Sequence, residues 1–239
     1  MRIGFLSDAH GNHLMLAACL RKLSEFQVSS IYFLGDATGY LPGEAEVLRL
    51  LRSEGVYCQK GNHEAMLLGE LPLPEIKDAS YGLAAARKRL SIEDREYIAG
   101  WPTYRIVEMA GKSLLLVHGS PHDHLQEYVY PDSDLSMFDS VTYDAVIMGH
   151  THRPFVAKRA NTLVVNVGSC GLPRDQGDLP AFAVLDVNEL SCHIYRVKFD
   201  VDRVIKYFGA DQLPPAVHDC LSRKPRESPF GEQVEYSGV

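Results

Sequence analysis

Short apolar runs that stop abruptly at polar residues recur along the first two thirds of the chain. Arg2 to Ser7 reads as a strand. Asn12 to Phe26 carries Leu16, Leu20 and Leu23 at helical spacing, with Asn12 placed to cap the helix. Ile31 to Leu34 predicts a second strand, ended by Gly35; Glu44 to Arg52 predicts a helix and Val56 to Gln59 a third strand. Such alternation predicts an α/β architecture. From Tyr104 the strands crowd together: Tyr104 to Met109, Ser113 to Val117, Ala145 to Met148, Phe155 to Lys158, Thr162 to Val167, Ala181 to Asp186 and His193 to Lys198. Ala110-Gly111-Lys112 and Val187-Asn188-Glu189 read as hairpin turns, so this half is partly antiparallel. Two packed mixed sheets with helices outside is the economical solution.

Two segments break the pattern. In residues 65–100, Leu71-Pro72-Leu73-Pro74 interrupts any continuous helix, and Tyr81 to Leu90 and Ser91 to Ala99 read as two helices. Their position is that of a partial lid over the edge of a site, or of outer packing. Beyond Phe208 the pattern fades: Leu213-Pro214-Pro215 interrupts regular structure and Ser222 to Val239 is polar. The predicted organisation is one domain over residues 1–208 and a tail over residues 209–239, disordered or docked on a partner.

Composition narrows the class. With 239 residues, 46% hydrophobic and 23% charged, the chain is that of an ordinary globular protein. A net charge of -7 argues against coating nucleic acid, although bound cations can invert the local field and admit an anionic substrate. The five cysteines show no CxxC spacing and read as small apolar side chains in a reducing compartment. The first strand begins almost at once, which predicts no signal peptide, and no apolar run approaches the ~20 residues of a membrane span. A cytoplasmic protein is expected, with its oligomeric state left open.

The polar residues that end the runs carry the chemistry. They are Asp8-Ala9-His10, Gly35-Asp36, Gly61-Asn62-His63-Glu64, His118-Gly119 and Gly149-His150-Thr151-His152. In an extended strand positions i and i+2 face one side, so Asp8 and His10 could reach one ion. A parallel-type sheet delivers successive strand ends to one edge, where distant residues converge. Taken singly these runs are weak signals; together they predict a pair of divalent cations and hydrolysis of a phosphate ester.

On these residues the chain resembles the calcineurin-like metallophosphoesterase superfamily, in particular its small bacterial and archaeal phosphodiesterase-type members. Ser7-Asp8-Ala9-His10-Gly11-Asn12 carries the likeness, which spans roughly Met1 to Val197 and includes Asn166-Val167-Gly168-Ser169. The resemblance implies a four-layer α/β/β/α sandwich. It implies that Asp8, His10 and His152 bind one metal, that Asn62, His118 and His150 bind the other, that Asp36 bridges both, and that His63 stands beside them as a catalytic residue without ligating. Many phosphoprotein phosphatases of the superfamily have a further Asp and then Arg-Gly after the Gly-Asp pair; here Ala37-Thr38-Gly39-Tyr40 follows. A protein-phosphatase assignment is thereby weakened, and what orients His63 is left open; Glu64 reads as the start of a helix.

The expected mechanism is attack by a hydroxide bridging two cations, with His63 protonating the leaving alkoxide or stabilising equatorial oxygens. Mixed nitrogen and oxygen ligands suit manganese, iron, zinc or nickel better than calcium, with manganese the default by resemblance. Asn12 is weighed as a phosphate contact or a helix cap, the cap being favoured; Arg153 contacts phosphate or faces solvent. His122 and His124 read as solvated loop residues, and Arg174-Asp175 as a surface ion pair. The expected substrate is a small phosphate ester, a diester on resemblance alone. The alternatives are a phosphomonoesterase or phosphoprotein phosphatase, or a scaffold like the retromer subunit, which lacks the histidine corresponding to His63.

Overall fold

The computed structural model describes residues 1–225 and 228–236. In chain order the elements are β1 (Arg2–Leu6), α1 (His13–Ser24), β2 (Ser30–Phe33), α2 (Glu44–Ser53), β3 (Tyr57–Cys58), α3 (Asn62–Leu68), α4 (Glu75–Tyr81), α5 (Leu83–Arg89) and α6 (Ile92–Ala99). They continue as β4 (Tyr104–Met109), β5 (Lys112–Val117), β6 (Ala145–Met148), β7 (Phe155–Arg159), β8 (Thr162–Asn166), β9 (Ala181–Asp186), β10 (Ser191–Lys198), α7 (Val201–Phe208), α8 (Pro215–Leu221) and β11 (Glu232–Glu235). One sheet has the order β11-β10-β9-β1-β2-β3 and the other β4-β5-β6-β8-β7. Both are mixed, as the sequence predicts: β1, β2 and β3 run parallel, as do β5, β6 and β8, while β9 and β4 pair antiparallel with β1 and β5.

The period-2 alternation of the central strands builds the layers. Leu114 and Leu116 of β5, Ile147 of β6 and Val165 of β8 meet Ile3 and Phe5 of β1 in the space between the sheets. Their alternate neighbours Leu115, Val117, Val146, Met148 and Val164 face outward and are covered by Val129 and Phe138. Both faces of these strands are therefore apolar, as central parallel strands require. On the far side of the first sheet, Leu16, Leu20 and Leu23 of α1 pack with Val47, Leu48 and Leu51 of α2. The result is the four-layer α/β/β/α sandwich. Its layer outside the second sheet is thin, a long connection with one 3-10 turn over Ser136–Ser140.

Three local expectations change. Tyr81 ends α4 rather than opening a helix to Leu90, because Gly82 takes a left-handed conformation (φ 63°) and splits the run. Segment 65–100 thus folds as short helices, and α5 packs on α3 through Leu83 and Ala86. Within residues 209–239, read as a tail, Val217, Cys220 and Leu221 of α8 are buried, and β11 adds a parallel strand to β10. Sequence periodicity misses both because α8 is short and β11 is a polar edge strand; residues 226–227 and 237–239 lie outside the described residues. Arg174 and Asp175 do not pair with each other. Asp175 instead accepts from Arg196, a fully buried residue of β10, at 2.6 and 2.9 Å.

Arg196 also donates to the carbonyls of Leu179 (2.6 Å) and of Phe230 (3.0 Å), the latter just ahead of β11. Replacing Asp175 with Ala would leave a buried guanidinium without its anion, a change expected to lower the unfolding free energy by about 3 kcal/mol. Urea denaturation measures this; a loss below ~1 kcal/mol would show that the pair does not hold the C-terminal segment.

Candidate metal centre

The parallel strands of both sheets end at one edge, and the chemistry-bearing runs lie just beyond them. Asp8 and His10 follow β1, Asp36 follows β2, Asn62 and His63 open α3 after β3, His118 follows β5, and His150 and His152 follow β6. All seven predicted metal-ligating side chains, and His63, are buried together. Asp8 and His10 do not converge by the extended i, i+2 geometry the sequence suggests. Asp8 (φ 57°), His10 (47°), Asp36 (61°), His150 (68°) and His152 (58°) all take left-handed backbone conformations. Such conformations are costly for non-glycine residues and persist where surrounding contacts over-determine them. Those contacts include Asp8 N–H to Gly35 O (2.9 Å), His10 N–H to Asp36 O (3.0 Å) and His150 N–H to Asp8 Oδ2 (3.0 Å). Gly61 is required for close approach: a methyl group there would overlap the Asp36 carboxylate.

The ring orientations follow from main-chain carbonyls, which can only accept. His10 Nδ1 and His63 Nδ1 both donate to Thr38 O (3.1 Å each), His118 Nδ1 to Leu34 O (2.9 Å), His152 Nδ1 to Leu172 O (2.5 Å) and His150 Nε2 to Gln126 O (3.1 Å). In each neutral ring the other nitrogen then turns a lone pair inward, the orientation second-shell carbonyls give to metal-binding histidines. His10 Nε2 faces His152 Nε2 at 3.0 Å, and His118 Nε2 faces His150 Nδ1 and Asn62 Oδ1 at 3.1 Å. Asp36 Oδ2 lies 3.3 Å from His118 Nε2, 3.6 Å from His10 Nε2 and 3.9 Å from His63 Nε2.

Three overlapping groups bring potential ligand atoms within 4.8 Å of one another: Asp8, His10 and His152; His10, Asp36 and His63; and Asp36, His118 and His150. The electrostatics suit cations. Burial alone would raise the carboxyl groups, but His152 beside Asp8, and His118 and His63 beside Asp36, hold both well below the usual range. Burial pushes His10, His63 and His152 down, and with the help of His118 pushes His150 down to about 3. His118 alone is pushed up, to about 9, because Asp36 outweighs its burial. Ionised carboxylates and neutral imidazoles are the ligand forms a metal needs, so His118 has to release its proton to become a ligand while the others are already neutral. Asp8 Oδ1 is buried without a hydrogen-bond partner, and lone pairs face each other across the pocket. Buried polar groups left in that state are costly, and divalent cations fit the donor set.

Other predicted residues sit differently. Asn12 is buried and spent on structure: its Oδ1 accepts from Met15 N at 3.3 Å as the cap of α1, and its Nδ2 donates to Gly171 O at 2.7 Å. These bonds fit the cap reading that the sequence favours for Asn12. Arg153 is exposed, 6.0 Å from the Tyr130 ring centroid at the rim. His124 lends its carbonyl to His118 N–H and Gly119 N–H while its ring lies against Tyr104, and His122 is exposed.

Several participants were not read from the sequence. Tyr40 and Tyr81 flank His63, with ring centroids 5.4 and 4.4 Å away, and Tyr128 stacks on His150 at 3.8 Å. Tyr81 is thus the point at which segment 65–100 reaches the site. His63 is oriented by Thr38 O, in place of the absent acid. Glu64 in turn fixes Thr38, accepting from its N–H (3.1 Å) and Oγ1 (3.0 Å) as well as from Asp36 N–H (2.7 Å) and Gly61 N–H (2.9 Å). Glu64 stands three residues after Gly61, the spacing by which an N3 acid reaches back to its N-cap, so this signal was legible. A carbonyl partner has no sequence signature.

Residues 1–190 match the calcineurin-like phosphoesterase superfamily domain, and the chain belongs to that superfamily. An uncharacterized protein of Methanocaldococcus jannaschii is 26% identical over 231 residues, 89% of this chain and 93% of its own length. A probable metallophosphoesterase of Methanothermobacter thermautotrophicus is 27% identical over 141 residues, 58% of this chain and 78% of its own. The crystal structure of a metallophosphoesterase from Sphaerobacter thermophilus shares the fold, with a TM-score of 0.79 at 24% identity over 92% of this chain and 98% of that one.

The Glu64 bonds give a direct test. Burial and the Asp36 charge push its carboxyl up to about 7, against the pull of the Gly61 and Asp36 N–H groups. Glu64→Gln would aim an amide N–H at main-chain donors, with an expected loss of about 2–3 kcal/mol. Thermal unfolding measures it; an unchanged midpoint would mean that the Asp36–Thr38 loop is held by other contacts.

Proposed function

We propose that the protein is a metal-dependent phosphoesterase, acting on phosphodiesters, with a dinuclear centre. The observation that carries this reading is the place of Asp36 Oδ2, which lies 3.6 Å from His10 Nε2 and 3.3 Å from His118 Nε2, within reach of both ligand groups. In this reading Asp8, His10 and His152 would hold one cation and Asn62, His118 and His150 the other, with Asp36 shared. Mixed nitrogen and oxygen donors suit manganese, the default, as well as iron, zinc or nickel. When bound, such a pair supplies positive charge against phosphate oxygens and acidifies a water toward pH ~7.

The chain's own residues set the rest. Asp8 Oδ2 is engaged by His150 N–H, which leaves Oδ1 free for ligation. We take His63 as the proton carrier: its Nδ1–H is committed to Thr38 O, so Nε2, which holds the lone pair of the neutral ring, is the atom that faces the centre; it would take up the proton the attacking water gives up and pass it to the leaving alkoxide. Tyr40 and Tyr81 pack against that ring, fix its plane and shield it from water. Support for a phosphoester comes from the superfamily; support for a diester rests on the resemblance to phosphodiesterase-type members.

The test pairs turnover of a bis-aryl phosphate, with added manganese, with metal analysis of the purified protein. His63→Ala is expected to keep the metal content and lower kcat by ~10²–10⁴. Asp36→Asn is expected to reduce the content below two ions per chain. Full activity in the first variant would remove His63 from the mechanism, and an unchanged two ions in the second would remove the bridge.

A further inference from the structure

Arg174 lies at the rim of the centre and, among the described residues, has no carboxylate to answer it. The turn that carries it is bonded to a candidate ligand, since Leu172 O accepts from His152 Nδ1 and Arg174 N–H donates to His152 O at 3.3 Å. The side chain is half-buried, and among the described residues its hydrogen bond is from Nη2 to Tyr40 Oη at 3.2 Å. Among the described residues no carboxylate lies within ion-pair distance; the neighbouring Asp175 is taken by Arg196. Its charge is felt by His152, Tyr40, Tyr81 and Tyr128, the groups that rim the centre.

Beside it is a cavity of about 220 Å³ lined by Tyr40, Leu172, Arg174, Arg223 and, from α8, Asp219 and Cys220. Arg223 is anchored there by donating to Arg174 O at 2.7 Å. Asp219 is exposed and pairs with neither arginine among the described residues. None of the candidate metal ligands lines this cavity, so an anion held in it is not the group held at the centre. A guanidinium withdrawn from water without an anion is unfavourable, and phosphate is the ligand its planar fork matches.

We infer that Arg174, with Tyr40 and Arg223 beside it, is a second anion subsite, and that the preferred substrates carry a phosphate group beyond the one hydrolysed. They are then pyrophosphate-linked esters rather than simple diesters. The inference rests on the phosphoesterase reading and adds the substrate class to it. The segment read as a tail acquires a role, since α8 and Arg223 line the cavity.

Calorimetry on the manganese-loaded protein, with pyrophosphate and orthophosphate as probes, tests the subsite without any turnover. Wild type is expected to bind pyrophosphate more tightly. Arg174→Ala should weaken pyrophosphate by ~10-fold or more and orthophosphate by at most about 2-fold, the scale of a lost charge-assisted contact. Arg174→Lys, which keeps the charge, should recover part of the loss. Equal weakening of both probes would place Arg174 at the centre itself and overturn the second subsite, as would no weakening of either. Absence of ester hydrolysis by wild type, with Arg174-dependent pyrophosphate binding retained, would sink the hydrolase reading and leave the subsite standing.

Discussion

The centre depends on how the two sheets are locked at one edge. His118, from the second sheet, donates to Leu34 O at the end of β2 in the first, and His150 N–H reaches back to the Asp8 carboxylate. Those bonds cross the interface between the sheets, which is also held by apolar packing of residues such as Phe5, Leu116 and Val165. Packing of that kind is strong but without direction. The polar bonds supply direction: they fix the register in which strand ends from one sheet meet strand ends from the other, and so set the distance between the two ligand groups.

The same bonds sustain strain. Five candidate ligands sit in left-handed backbone conformations, each a departure of order 1–3 kcal/mol from relaxed geometry. Turning just after a strand lets a side chain point along the sheet edge rather than above or below it, and that turn is what a shared site between two sheets requires. Glu64 is the main brace, tying the Asp36–Thr38 loop to the start of α3 with four accepted bonds. Through Thr38 O this brace reaches both His10 and His63, so a candidate ligand and the proposed proton carrier share one anchor. The missing acid of the phosphoprotein phosphatases is thereby replaced by a peptide group, which needs no particular side chain at position 38 beyond one that Glu64 can hold.

Access is shaped by residues from distant parts of the chain. Tyr81 arrives from the helical segment, Tyr40 from the loop after β2, Tyr128 from the long connection over the second sheet, and Arg174 from the turn before β9. Aromatic walls beside the Arg174 guanidinium suit an anion attached to a bulky group. The C-terminal segment completes this side, held by the Arg196 bonds to Asp175 and Phe230 O.

The strands from β1 to β10 were legible because alternation and abrupt apolar runs record burial directly, and the candidate ligands were legible because each run ends in a residue type that can bind metal. Asn12 could be read as a cap, and Glu64 lay within reach of a spacing rule. What the sequence could not tell is which partner each polar atom takes. The two-residue spacing of Asp8 and His10 suggests an extended pair, whereas the fold bends both into left-handed turns. Arg174 next to Asp175 suggests an ion pair, whereas Asp175 turns to a buried arginine more than twenty residues away. Local sequence thus determined the strands and the kinds of ligand they end in. Tertiary structure alone decided the register, the ring orientations and the partners of Arg174 and Asp175, because these depend on main-chain carbonyls and long-range contacts that leave no periodic trace in the chain.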